Sequence, residues 1–100
     1  MTKMFASLVV LGALGAFPTS AIAQFSDRVC VVADPTGTPL NVREEPNGRI
    51  VGTIVDGAWV LVRTRTRVSG KSWAYIHDSD EFGTVGDPLG WVFDAYLKCL

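Results

Sequence analysis

From Val29 onward, apolar and polar positions alternate in short runs separated by turn residues, the period-2 pattern of half-buried β-strands. Val29 to Ala33 form an apolar run ended by Asp34-Pro35-Thr36-Gly37, a strong turn signal. Leu40 and Val42 alternate with Asn41 and Arg43, and Pro46-Asn47-Gly48 then reverses the chain. Ile50, Val51, Ile54 and Val55 supply the next β-branched run, closed by Asp56-Gly57. The longest strand is expected over Ala58–Val68, its even positions (Ala58, Val60, Val62, Thr64, Thr66, Val68) being the better candidates for the core. Arg63, Arg65 and Arg67 would then form a cationic stripe on the opposite face.

Ser69-Gly70-Lys71 predicts a hairpin turn, and Ser72–Asp78 the returning strand. A polar, glycine-containing loop follows over Ser79–Gly90, long enough for a small domain to suggest a functional segment. Trp91-Val92-Phe93 reads as a short strand, Asp94-Ala95-Tyr96 as a single 3₁₀ turn, and Tyr96 to Cys99 as the last strand. No amphipathic helix is legible after residue 24.

The first 23 residues follow another pattern. Lys3 is their only charge, Phe5 to Phe17 are apolar or small, and Ala21-Ile22-Ala23 fits the small-x-small rule for leader cleavage. The apolar run is too short for a bilayer span of ~20 residues, and no cysteine stands at its end to carry a lipid. The expected organisation is a signal peptide over 1–23, a lead-in over 24–29 and one domain over 30–100, with no membrane anchor after cleavage.

Leu40-Asn41-Val42-Arg43 followed by Pro46, then Trp73, then Gly90-Trp91-Val92 and Tyr96-Leu97 occur in the order and spacing of the bacterial SH3-like family, which this chain resembles over about Cys30 to Cys99. The resemblance implies an all-β fold, a small SH3-like β-barrel of five to six short strands. It also implies a non-enzymatic module that recognises cell-wall peptidoglycan or a peptide. The loop over 79–90 departs from the family pattern.

Composition narrows the function further. The formal net charge is −1, which argues against a nucleic-acid partner. Two cysteines, Cys30 and Cys99, stand near the start of the first strand and the end of the last. In an oxidising compartment they allow a single pairing, and two thiols are too few for a structural zinc site. A periplasmic or secreted location is therefore expected.

Catalysis finds little support. His77 is the only histidine, and the letters of a triad in His77-Asp78-Ser79 belong to adjacent residues that point apart on a strand. Glu44 and Glu45 sit in a turn beside Arg43 and Arg49, where they are most simply solvated. Asp78 to Gly83 has acids at the first and third positions of a calcium loop, but Phe82 and Leu89 stand where oxygen ligands belong. No catalytic residue, metal site or cofactor is assigned.

The aromatic set is more informative: Trp59, Trp73, Tyr75, Trp91, Phe93 and Tyr96 exceed what a small core requires. Strand periodicity puts Trp73 with Tyr75 on one face, and Trp91 with Phe93. The candidate groove comprises Trp73, Tyr75, Trp91 and Tyr96, with Arg43 orienting an anionic end of the ligand or pairing with Glu45. The alternative is a regulatory or inhibitory partner of another exported protein, acting through the loop over 79–90. A monomer is expected.

Overall fold

The computed structural model describes residues 27–100, so the signal peptide expected over 1–23 and the start of the expected lead-in lie outside the described residues. Seven strands follow one another: β1 (Arg28–Val32), β2 (Leu40–Arg43), β3 (Ile50–Ile54), β4 (Trp59–Val68), β5 (Lys71–Asp78), β6 (Pro88–Phe93) and β7 (Leu97–Cys99). A 3₁₀ turn at Asp94–Tyr96 joins β6 to β7. All pairings are antiparallel and belong to one sheet of order β3-β2-β6-β5-β4-β1-β7. The fold is all-β. It has seven strands, more than the five to six expected, and the three-residue β7 pairs along its whole length with β1. That first strand also takes in Arg28, which the sequence places in the lead-in.

One face of the sheet makes the core. Cys30 and Val32 of β1, Leu40 and Val42 of β2, Val60 and Val62 of β4, Ala74 and Ile76 of β5 and Val92 of β6 form one buried cluster. The register requires this grouping, since Cys30 faces Val60, Val62 faces Ile76 and Ala74 faces Val92. Yet β1 and β2 are separated in the sheet by three strands, so the sheet curls to bring their side chains together. Each fully buried Val or Ile contributes about 1.5–3 kcal/mol through removal from water.

Local chemistry sets the corners. Ser69 and Gly70 both have positive φ (52° and 80°), the conformation of a two-residue hairpin whose twist matches its strands. In the β2–β3 turn Asn47 takes the positive φ, Gly48 N–H donates to Glu45 O (2.8 Å), and Glu44 N–H donates to Arg49 O (3.0 Å). Cys30 and Cys99 are directly opposite across β1 and β7 and are joined by a disulfide.

Two bulges overturn the simplest face assignment. In β4 the register slips between Val62 and Thr64, so that Thr64 faces Tyr75 and Arg65 faces Ala74. The even positions are the core face only as far as Val62. Beyond the bulge the odd positions turn to that side. The three arginines therefore form no common stripe, and each is occupied locally. Arg63 pairs with Asp27 (2.9 Å), Arg65 with Asp94 (3.0 Å), and Arg67 donates to Gly70 O (2.7 Å).

The second irregularity lies between Ile76 and His77, where β6 supplies an extra residue. Gly90 has φ 143°, and a Cβ there would stand 2.6 Å from Arg43 O. Only glycine lets β6 approach β2 this closely. The strand thus begins at Pro88, and the loop expected over 79–90 is shorter at its C-terminal end.

Candidate functional site

The face of the sheet turned away from the core carries the rings. On β5 these are Trp73, Tyr75 and His77, and on β6 Trp91 and Phe93, because successive side chains alternate faces. The register sets Trp73 opposite Phe93 and Tyr75 opposite Trp91. Trp73 and Phe93 stack at 4.2 Å between centroids with 27° between planes. Tyr75 meets Trp91 edge-on at 5.3 Å and His77 at 5.7 Å. Tyr96, carried by the 3₁₀ turn, stands at 90° to Phe93 with centroids 6.1 Å apart.

Within this row the rings divide into packed and accessible members. Trp73 is only 2% exposed. It is therefore a core ring on the far side of the sheet, and its assignment to the groove is corrected. The stacking surface it was expected to offer is occupied by Phe93. Tyr75, Trp91, Phe93 and Tyr96 remain partly accessible. Phe93 is the member that the sequence-based groove omitted, although its spacing of two from Trp91 already put both on one face.

Phe93 and Tyr96 line two hollows at once. The first, about 330 Å³, is completed by Lys71, Ser72, Asp94 and Ala95. The second, about 170 Å³, is completed mainly by Asp34, Pro39, Asn41 and Arg43. The two rings thus form a ridge with a hollow on either flank. Lys71 Nζ lies 5.8 Å from the centre of the Phe93 ring, within the range of a cation–π contact. Asp94 is held in place by Arg65 and by Ser72, whose hydroxyl donates to Oδ2 (3.2 Å).

Arg43 faces Trp91 across β2 and β6, so the structure brings it to the ring row. Its Nη1 donates to Gly48 O at 2.7 Å, and Glu44 rather than Glu45 supplies the carboxylate of this turn, to Arg49 at 3.0 Å. The pairing of Arg43 with Glu45 is therefore replaced by a bond to the backbone of the hairpin. The Arg49 guanidinium, by hydrogen bond first and charge second, holds the Glu44 carboxyl below its ordinary pKa. On the rim of the second hollow, the Asp34 carboxyl is also lowered, chiefly by the Thr36 hydroxyl that donates to it (2.7 Å) and then by the Thr36 N–H.

The remaining polar candidates are used internally. His77 Nδ1–H donates to Gly86 O (2.9 Å), and Ser79 Oγ donates to Asp80 O (3.2 Å), so the triad letters do not converge. The Asp80 carboxylate accepts from Phe82 N, Thr84 N and Thr84 Oγ1. Among the described residues no group of three or more His, Cys, Asp or Glu is placed to hold a metal ion. Trp59 lies elsewhere, opposite Val31 on β1. What the site offers is stacking surface and two hollows, each lined by one cation and one carboxylate.

No family model, no curated protein and no solved structure matches this chain.

Proposed function

We propose that this protein is a non-enzymatic binding module of the SH3-like kind, which takes an extended ligand, cell-wall peptidoglycan or a peptide, across the ring row of β5, β6 and the 3₁₀ turn. The observation that carries the reading is the ridge of Phe93 and Tyr96 between two hollows, continued by Trp91 and Tyr75. Rings in a line suit the faces of sugars or the side chains of an extended strand, and neither needs catalytic groups. Each hollow sets a cation beside a carboxylate, Lys71 with Asp94 and Arg43 with Asp34, which suits a ligand carrying both carboxylates and N–H donors. The Leu40–Arg43 strand, the Gly90-Trp91-Val92 segment and the antiparallel all-β sheet are in keeping with an SH3-like barrel. The disulfide is consistent with an oxidising, extracellular compartment, and we place the protein in the periplasm or outside the cell.

The test is co-sedimentation with purified peptidoglycan sacculi. Trp91→Ala is expected to weaken retention by more than about 1 kcal/mol while unfolding stays cooperative, because binding energy concentrates in a few aromatic anchors. A folded Trp91→Ala protein that binds sacculi as the parent does removes the ring row as the site.

A further inference from the structure

The loop between β5 and β6 carries a second, separate feature. Phe82 at its tip is 85% exposed, the most exposed of the large apolar side chains among the described residues, and Val85 three positions on is 52% exposed. Single exposed apolar residues are common on protein surfaces. This one, however, is presented by an ordered scaffold. Asp80 Oδ1 accepts from Phe82 N (2.9 Å) and Thr84 N (3.1 Å), and Gly83 N–H donates to Asp80 O (3.1 Å). Gly83 has φ +82°, and a Cβ there would stand 2.9 Å from the Val29 side chain, so the loop is seated against β1. Its base is tied by Gly86 N–H to Asp78 O (2.8 Å), Asp78 N–H to Asp87 O (2.9 Å) and His77 to Gly86 O.

Along the loop itself the formal charge has one sign. Asp78, Asp80, Glu81 and Asp87 surround it in sequence, and no lysine or arginine occurs between Lys71 and Lys98. An anionic rim of this kind disfavours insertion of Phe82 into an anionic lipid surface. It favours a cationic counterpart instead.

We infer that the loop is a docking anchor for another protein, Phe82 entering an apolar pocket of the partner that is rimmed by lysine or arginine. The fixed loop reduces the ordering cost of association, and the ring supplies the buried area. Charge complementarity then selects the partner. This contact is independent of the ring row, since Phe82 lines none of its hollows.

The experiment places a photoreactive benzoylphenylalanine at position 82 of the full chain in the producing cell, with position 55 as the control, because Val55 is also exposed (63%) and lies in another loop. The expected result is a discrete protein adduct from position 82 and none from position 55, the adduct mapping to a partner segment containing Lys or Arg. The Glu81→Gln, Asp87→Asn double variant, with the probe retained, is expected to lower adduct yield at least about tenfold, as the loss of a charge-selected contact requires. Flotation with vesicles of phosphatidylcholine, alone or with phosphatidylglycerol, is expected to recover no protein. The inference is overturned by equal adducts at positions 55 and 82, by no adduct at 82, or by a yield indifferent to neutralisation. Phe82-dependent flotation overturns it in favour of a membrane contact. Phe82→Ala should leave sacculus binding unchanged, so failure here and failure of the ring row are separately visible.

Discussion

Trp73 lies nearly parallel to Phe93, and the pair spans β5 and β6 at directly opposed positions. One ring is sealed and the other partly accessible, so a single stack serves both the fold and the proposed binding face. The stack also fixes where the ridge can stand, because Phe93 has the rigid ring of Trp73 behind it.

Removal of the inner ring tests the packing. Trp73→Ala is expected to cost about 3–5 kcal/mol, the range for truncating a buried aromatic. Urea unfolding followed by far-UV circular dichroism measures it. A cost below about 1 kcal/mol would show that the ring contributes little to the core.

The disulfide gives a second expectation. It closes a loop with a sequence separation of 69 residues, and Cys30→Ala should lower stability by about 2–4 kcal/mol. In the parent protein neither thiol should react with iodoacetamide until reductant is added. Free labelling of both in freshly purified, unreduced protein would contradict the pairing of β1 with β7 through this bond.

Arg65 acts behind the first hollow, since its partner Asp94 lines it. Both side chains keep about a quarter to a third of their exposure (34% and 25%), so the pair should contribute only about 0.5 kcal/mol to stability. Arg65→Ala is therefore expected to leave the fold intact and to lower sacculus binding by only about two- to threefold. A loss as large as that of Trp91→Ala would move the centre of binding from the rings to the Asp94 hollow.

The pH response of the loop follows from Asp80. The Thr84 hydroxyl above all, then the N–H groups of Thr84 and Phe82, hold its carboxyl below the ordinary value of 3.8. A carboxyl lowered by folding stabilises the loop above pH 3.8, and that contribution is lost as pH falls from there through the lowered folded value. Amide exchange at Phe82 and Thr84 should accelerate relative to the core strands over that interval. Asp80→Asn should abolish the dependence. If exchange at these two amides follows the same pH curve in parent and variant, Asp80 does not hold the loop.

Much of the fold was legible because its signals are local. The alternation of Leu40 to Arg43, the Ser69-Gly70 corner and the 3₁₀ turn at Asp94–Tyr96 depend on neighbouring residues, and the structure has all three. The β-bulges were not legible. A bulge adds one residue to one strand, and only the partner strand reveals it. Arg65 therefore changes sides, and Leu89 joins the core from what reads as loop. Burial of Trp73 was hidden for a different reason. Periodicity says which residues share a face, but not what covers them, and the cover is Phe93 on another strand. Leu61, 3% exposed on the outer face, is a similar case, beside Val29 and His77 where the β5–β6 loop folds back.

The cross-strand bond between Cys30 and Cys99 has a mechanical consequence. Arg28 also bonds to Leu100 O and Leu100 N–H to Val29 O, so the segments flanking the two cysteines lie side by side at one corner. Tension applied through those segments is borne by a covalent link, and the strands between the two cysteines remain slack. Such a domain can be tugged by whatever holds it and whatever it holds without unravelling, until the link is reduced.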